Sequence, residues 1–187
     1  MSDLYGPRVG EALKLAADAF APIGRKGSGV PYLTHLLAVA ATVGENGGDE
    51  EQIIAAVLHD YLEDIDGADA ADLEARFGPR VRRLVEDLSD AITRPKPPWR
   101  ARKEAYIASL RGKPAELKLI SAADKLHNAE SILRDHEVVG AAIWDRFTAT
   151  REESLWYYRS IAGALGDGWQ HPLLERLRRT VDRLHTI

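Results

Sequence analysis

The sequence has no cysteine in its 187 residues. This absence excludes a disulfide framework, a thiolate zinc site and a cysteine nucleophile. Any bound metal ion must therefore be held by histidine and carboxylate side chains. No apolar segment is long enough to cross a bilayer. The N-terminal sequence MSDLYGPRVGEAL also lacks the basic start and apolar stretch of a signal peptide, so we expect a cytoplasmic protein with no membrane partner.

The chain also lacks an excess of positive charge. Its formal net charge of −4 argues against a protein that binds nucleic acid over its whole surface, although a local basic pocket remains open. Hydrophobic residues make up 45% and charged residues 29%, which is the balance of an ordinary globular protein. A chain of this length predicts a single domain over residues 1–187 with a sizeable core.

The alternating pattern typical of β-strands is absent, whereas apolar residues recur at helical spacing along most of the chain. The sequence therefore predicts an all-α protein built as a single-domain helical bundle. An Asp49–Gln52 capping box opens the central helix. The central helix follows this cap and includes residues 53–66. The other predicted helices cover residues 8–20, 31–43, 68–78, 81–88, a segment ending near 110, 115–135, 138–165 and 172–185.

The central stretch, IIAAVLHDYLEDID, spans residues 53–66. Its apolar run stops at His59-Asp60, and two further acids follow at Glu63 and Asp64. On one continuous helix, residues three and four apart share a face, so His59 would lie over Glu63. A carboxylate at the end of a buried helix is unfavourable unless a cation, a proton or a hydrogen bond compensates its charge. The alternative is a solvated helix end.

Two other predicted core helices also contain polar residues. His35 lies beside an apolar stripe, and Asp124 lies in a stretch of small residues with Asn128 on the same face. Two imidazoles and two carboxylates from three helices suit a divalent ion such as Mn²⁺, Fe²⁺ or Zn²⁺. The candidate ligands are His35, His59, Asp60 and Asp124.

The order H…HD…D resembles the signature of the HD-domain metal-dependent phosphohydrolases. Within that group, the sequence is similar to the hydrolase domain of the RelA/SpoT family over about residues 5–165. The similarity rests on LHDYLED followed by FGPRVRRLV, on Arg25-Lys26 before GVPY and His35, and on ADKLHN at residues 123–128.

This resemblance implies an HD-type helical bundle acting as a stand-alone small alarmone hydrolase. The implied reaction removes the 3′-pyrophosphate from a guanosine or adenosine alarmone, (p)ppGpp or (p)ppApp. The implied cofactor is Mn²⁺, with Fe²⁺, Zn²⁺ and Co²⁺ as further options. Carried over by position, the metal ligands are His35, His59, Asp60 and Asp124, the residues that orient or deprotonate water are Glu63 and Asp64, and the nucleotide contacts are Arg25, Lys26 and Asn128.

The sequence departs from the family pattern at two positions. Ser121 and Glu130 stand where the family often has basic residues. The loss of two positive charges leaves the choice between guanosine and adenosine alarmones open. We expect Arg102 and Lys103, in the basic segment 94–103, to supply part of the missing charge toward the substrate phosphates.

Two alternative functions remain at this point. One is another HD-domain nucleotide phosphohydrolase, such as a 5′-nucleotidase or a cyclic-nucleotide phosphodiesterase, although the Glu63-Asp64 pair favours the alarmone reaction. The other is a regulator that binds a nucleotide without turnover. In each case the partner is a small-molecule nucleotide, and the sequence leaves the oligomeric state open, with a homodimer as one option. Trp144, Trp156 and Tyr157 are interpreted as core.

Overall fold

The structure is a computed structural model that describes residues 5–93 and 95–187. Within this part of the chain there is no β-strand, only an isolated bridge between Gly24 and Pro31, so the all-α prediction is confirmed. Among residues 5–93 and 95–187, none of the helices combines the length and the apolar composition that a transmembrane span requires. The α-helices are α1 (Pro7–Ala19), α2 (Leu33–Glu45), α3 (Glu50–Val57), α4 (Tyr61–Asp64), α5 (Ala70–Phe77), α6 (Pro79–Leu88), α7 (Trp99–Leu110), α8 (Ala115–Val139), α9 (Arg151–Leu165) and α10 (Pro172–Leu184), with a 3-10 helix at Gly140–Arg146.

The helices form two compact units. The first unit comprises the chain up to Arg25 together with Val30–Lys96, and the second comprises Lys26–Gly29 and Pro97–Ile187. The prediction of one domain over residues 1–187 stays a prediction.

In the first unit, α3 is the central helix and packs against α1, α2 and α6. It is buried from Gln52 through Val57, which explains why this stretch is a nearly continuous apolar run rather than an amphipathic one. The predicted capping box is present: the Asp49 carboxylate accepts from the Gln52 backbone N–H, and the Gln52 side chain accepts from the Asp49 N–H. This arrangement satisfies two N–H groups at the start of the helix.

The helix predicted over residues 53–66 is interrupted at its functional end. Helix α3 stops at Val57, and residues 58–60 form a turn closed by the Tyr61 N–H on the Leu58 carbonyl oxygen at 2.8 Å. The four-residue helix α4 then begins at Tyr61. The expectation that His59 lies over Glu63 on one continuous helix is therefore wrong. The dipeptide His59-Asp60 lies in the turn, so the directions of its side chains are not set by the geometry of a helix.

The second unit is organised around α8, which spans 25 residues and packs against α9, α10 and the 3-10 helix. Helix α7 packs against α9, and α10 packs against both α8 and α9. The buried Lys118 ammonium group donates to the carbonyl oxygens of Arg111 and Asp167, so this charge is hydrogen-bonded within the unit.

The single long helix predicted over residues 138–165 is also wrong. Helix α8 continues to Val139 and ends at Gly140, whose φ of 61° lies in the left-handed region that favours glycine. A 3-10 helix follows, and α9 starts afresh after Thr150. Thr150 and Glu153 form a second capping box, which is a local signal for a new helix start.

Candidate metal centre and active site

A pair of buried histidines lies in the first unit. His35 is on the buried face of α2 and His59 is in the turn after α3, with exposed fractions of 1% and 3%. Their ring centroids are 5.1 Å apart at an interplanar angle of 73°. The break after Val57 allows this approach, because it releases the His59 side chain from the helix.

Asp60 supplies a carboxylate to the same pair. Its Oδ2 atom lies 3.0 Å from Nε2 of His59 and 3.7 Å from Nε2 of His35. The Nδ1 atom of His59 lies 2.8 Å from the Ala56 carbonyl oxygen, which can only accept a hydrogen bond. In the neutral imidazole the hydrogen is therefore on Nδ1, and the Nε2 lone pair is directed toward a carboxylate oxygen. Two electron-rich atoms in this arrangement suit a shared proton or a divalent cation, so these residues fit a metal ion.

Tyr32 is a site residue to which the sequence analysis assigned no role. Its hydroxyl donates to Asp60 Oδ2 at 2.7 Å. Its ring stacks on Phe20 with centroids 5.3 Å apart, and its plane lies at 84° to the ring of His35. The GVPY motif contains this tyrosine, but its contact with Asp60 spans 28 residues of sequence and is not encoded by local periodicity.

Glu63 and Asp64 lie in α4 and share one cationic partner. The Lys96 ammonium nitrogen is 3.1 Å from Glu63 Oε1 and 3.2 Å from Asp64 Oδ1. The second oxygen of Glu63 accepts from the Asp90 backbone N–H at 3.1 Å. Burial raises the pKa of Glu63, the charges of Asp90 and Asp60 add to that rise, and Lys96 opposes it. A carboxyl group whose pKa is raised in this way has a higher proton affinity, which suits it to accept a proton from water.

Lys96 is the second site residue that sequence reasoning missed. It lies inside the basic segment 94–103, but the charge of that segment was assigned to Arg102 and Lys103 instead. Burial lowers the pKa of Lys96, and its two carboxylate partners outweigh that effect and raise it, so the ammonium group stays charged. The signal that could have identified Lys96 is its position between Pro95 and Pro97, which restricts the backbone around it.

Asp124 lies on α8 in the second unit and is 5% exposed. One of its carboxylate oxygens pairs with the Lys125 ammonium group, and the other accepts from the Asn128 side-chain amide. Burial lowers the pKa of Lys125, but the charge of Asp124, its hydrogen bond to Lys125 and the nearby Tyr157 and Tyr106 hydroxyls together outweigh burial and raise that pKa well above its ordinary value. The structure thus joins Asp124 and Asn128 as the spacing predicted. The place of Asp124 in the metal-ligand set stays a prediction.

The predicted phosphate contacts on α7 already have partners in the second unit. Arg102 Nε donates to the Pro97 carbonyl oxygen at 3.0 Å, and the Lys103 ammonium nitrogen lies 4.8 Å from the ring centroid of Tyr157. The neighbouring Trp156 ring stacks with the Arg100 guanidinium at 3.3 Å. The Arg151 guanidinium lies 5.9 Å from the ring centroid of Trp144, so all three aromatic residues interpreted as core have a ring that contacts a cation.

Arg25 and Lys26 differ in their surroundings. The Arg25 backbone N–H donates to the Val30 carbonyl oxygen, and its guanidinium lies 5.9 Å from the ring centroid of Tyr32. Arg25 is half-buried, whereas Lys26 is exposed. Arg25 is thus connected through Tyr32 to the histidine and carboxylate cluster of the first unit. The role of both residues in nucleotide binding stays a prediction.

The two departures from the family pattern have local structural explanations in the second unit. The Ser121 hydroxyl is buried and lies 3.1 Å from the Tyr106 hydroxyl. Glu130 accepts from Arg176 of α10 at 2.8 Å, so the charge that replaces a basic residue is paired by the last helix.

Comparison with known proteins identifies the family. The HD domain family profile matches residues 12–166. The chain is 33% identical over 165 residues to the bifunctional (p)ppGpp synthase/hydrolase SpoT of Escherichia coli K12, a match that covers 85% of this chain and 22% of SpoT. It is 35% identical over 108 residues to the human guanosine-3′,5′-bis(diphosphate) 3′-pyrophosphohydrolase MESH1, covering 57% of this chain and 58% of MESH1.

Solved structures agree with the sequence matches. A metazoan ortholog of SpoT, described as hydrolysing ppGpp, superposes with a TM-score of 0.80 at 26% identity, covering 95% of this chain and 96% of that one. The lmo0812 protein of Listeria monocytogenes gives a TM-score of 0.75 at 29% identity over 82% of this chain. The chain spans only 22% of the length of SpoT, the curated relative. Because the HD domain family profile matches most of its length, the chain belongs to the HD domain family.

Proposed function

We propose that this chain is a metal-dependent pyrophosphohydrolase that removes the 3′-pyrophosphate from an alarmone such as (p)ppGpp. The main support is the buried His35–His59 pair with Asp60 at its edge, in the same unit as Glu63. A histidine pair beside a carboxylate suits a hydrolytic metal site, and MESH1 is named for this reaction. The solved metazoan relative is likewise described as hydrolysing ppGpp.

In this proposal His35, His59, Asp60 and Asp124 hold the metal, with Mn²⁺ as the expected ion. When bound, a divalent ion lowers the pKa of a coordinated water molecule and offsets charge on phosphoryl oxygens. The fixed tautomer of His59 directs Nε2 toward the centre, and its Nδ1 hydrogen bond to Ala56 holds the ring in that orientation.

Glu63 accepts the proton of the attacking water, and Asp64 helps to hold that water in line. Burial and the neighbouring carboxylates raise the pKa of Glu63, which brings its proton affinity closer to that of a general base at neutral pH. The charge of Lys96 opposes this rise in the pKa of Glu63, and its contact at 3.1 Å holds the carboxylate in one orientation. Proton transfer and positioning are then supplied by three side chains of the first unit.

The phosphates of the substrate require cationic partners, which we assign to Arg25, Lys26, Arg102 and Lys103. Asn128, whose side-chain amide donates to Asp124, is assigned to the ribose or a phosphate. Arginine is suited to bidentate contact with phosphate and to stacking on a purine, and lysine to a point contact. The names of the relatives favour guanosine over adenosine as the base.

The direct test is a substrate panel with the metal-loaded protein. Guanosine and adenosine 3′-pyrophosphates, deoxynucleotide 5′-monophosphates and cyclic nucleotides are incubated separately, and the products are identified by mass spectrometry. We expect pyrophosphate and a 3′-hydroxyl nucleotide from the alarmones, and the Asp60→Ala protein to release neither. Phosphate release from a deoxynucleotide, or opening of a cyclic nucleotide without alarmone turnover, would instead establish one of the alternative HD-domain activities.

If the metal-loaded protein binds the alarmone but releases no product, the protein is a regulator that binds a nucleotide without turnover. Three further predictions accompany this function: a cytoplasmic location, a small-molecule nucleotide rather than a nucleic acid or a membrane as the binding partner, and a homodimer as one option for the assembly. Sedimentation of the purified chain would decide the last of these.

A further inference from the structure

Three contacts within the first unit fix the Tyr32 side chain. Its ring stacks on Phe20 with centroids 5.3 Å apart, and it meets His35 edge-on at 5.5 Å. Its hydroxyl donates to Asp60 Oδ2 at 2.7 Å. Because the ring is held between two packed side chains, the direction of the hydroxyl is set by the core rather than by a flexible surface rotamer.

The oxygen that receives this hydrogen bond is the one that faces both histidines. Asp60 Oδ2 lies 3.0 Å from His59 Nε2 and 3.7 Å from His35 Nε2. The Asp60 side chain is 18% exposed, whereas the histidines are buried, so this carboxylate is the member of the cluster with the most freedom to turn into solvent. Each carboxylate oxygen has about two acceptor positions, so Oδ2 can accept from Tyr32 and still bind a cation.

We infer that Tyr32 is a positioning residue for Asp60 in the metal centre, and this inference rests on the proposed function. The hydroxyl restrains the Asp60 carboxylate in the orientation in which Oδ2 faces the histidine nitrogens. Hydrogen-bond partners of metal ligands orient the ligands before the ion binds, and their loss usually weakens metal affinity by about 10–100-fold. Tyr32 is such a partner, because its hydroxyl donates to the proposed metal ligand Asp60 within the first unit.

The Tyr32 ring also lies close to Arg25. The Arg25 guanidinium lies 5.9 Å from the Tyr32 ring centroid, so the ring contacts a proposed nucleotide-binding residue while the hydroxyl contacts a proposed metal ligand. Tyr32→Phe separates these contacts, because the ring and its stacking on Phe20 remain while the hydroxyl is removed. A role through the hydroxyl therefore changes metal binding and leaves the KM for the nucleotide as it was.

The experiment measures Mn²⁺ binding to the full, metal-stripped chain by calorimetric titration, for wild type, Tyr32→Phe and a matched control. The control is Tyr5→Phe, which removes another tyrosine hydroxyl of the first unit, one that donates to the Gly48 carbonyl oxygen. We expect the Mn²⁺ dissociation constant to rise about 10–100-fold in Tyr32→Phe and to stay unchanged in Tyr5→Phe. With saturating Mn²⁺, kcat and KM of Tyr32→Phe should return to near the wild-type values.

Two outcomes would overturn the inference while leaving the proposed function intact. In one, Tyr32→Phe binds Mn²⁺ as tightly as wild type and only its melting temperature falls, which is a purely structural effect. In the other, Mn²⁺ affinity is unchanged and KM rises, which makes Tyr32 a direct substrate contact. If wild type itself binds no divalent ion in the titration, the proposed function fails and the inference falls with it.

Discussion

The ammonium nitrogen of Lys96 lies 3.1 Å from Oε1 of Glu63, so the proposed general base has a permanent cationic neighbour. That neighbour lowers the pKa of Glu63, whereas burial and two carboxylates raise it. Because these effects oppose each other, the loss of the Lys96 charge alone should change the ionised fraction of Glu63.

Lys96→Met should therefore raise the pKa of Glu63 further. A base must be deprotonated to act, so the acidic limb of the kcat profile should move to higher pH, and the alkaline side should be affected less. The measurement is kcat as a function of pH, with Lys14→Met as the control, because Lys14 pairs with Asp18 on the exposed surface of α1. An acidic limb that stays in place would mean that Glu63 is not the titrating base.

Glu63→Gln and Asp64→Asn should separate the chemical step from binding. Both substitutions remove a proton acceptor and keep the side-chain shape, so kcat should fall by about 10²-fold or more while Mn²⁺ affinity stays close to wild type. Turnover under saturating substrate and calorimetric Mn²⁺ titration measure the two quantities. Wild-type kcat in both variants would assign activation of water to the metal alone.

Asp60→Ala and Asp124→Ala should each lose the metal. Both carboxylates belong to the proposed ligand set, and removing one leaves the buried histidines with an incomplete site. Elemental analysis after dialysis checks this expectation, with Asp18→Ala as a control carboxylate on the surface of α1. Full metal occupancy in Asp124→Ala would limit the ligand set to the first unit.

Removal of the Tyr157 hydroxyl should stabilise the protein. That hydroxyl is buried and has no hydrogen-bond partner among the described residues. An unsatisfied buried hydroxyl costs about 1–3 kcal/mol, so Tyr157→Phe should raise the melting temperature by several degrees. Tyr106→Phe is the matched control, because its hydroxyl lies 3.1 Å from that of Ser121 and its loss should lower the melting temperature. A destabilised Tyr157→Phe protein would reveal a bound partner for the hydroxyl.

The ion pair between Glu130 and Arg176 permits a charge swap. Glu130→Arg combined with Arg176→Glu keeps the pair and moves the positive charge onto α8, where the family often has one. If the 5′-phosphates bind near this position, KM should fall more for a 5′-triphosphorylated alarmone than for a 5′-monophosphorylated one. Arg176→Glu alone serves as the control for the loss of the pair. Equal changes in KM for both substrates would place the 5′-phosphates elsewhere.

Local signals in the sequence were sufficient for most helix positions. The start of α3 was predicted from Asp49 and Gln52, and the helix predicted over residues 68–78 ends at Gly78, directly before Pro79, because capping and helix-breaking residues act within one turn. The breaks after Val57 and after Val139 were missed. In both places apolar residues continue past the break. Hydrophobic periodicity alone cannot detect a turn that is stabilised by long-range packing.

The candidate site shows the same difference between local signals, which the sequence reveals, and long-range contacts, which it does not. The histidines, acids and basic residues were identified because their residue types and spacing limit the chemistry. Tyr32 and Lys96 were not assigned, since their partners Asp60 and Glu63 lie 28 and 33 residues away in the sequence. Contacts over such separations depend on how the helices of the first unit pack, which no short pattern specifies.

The hydrogen bond between His59 and the Ala56 carbonyl oxygen has a consequence for the energetics of metal capture. The entropy of orienting this imidazole is lost when α3 folds, before any ion arrives, so the ring is preorganised and less free energy is spent at the binding step. Nitrogen-15 chemical shifts of the metal-free protein should accordingly report a single tautomer of His59, protonated on Nδ1, rather than the mixture found in an unconstrained imidazole.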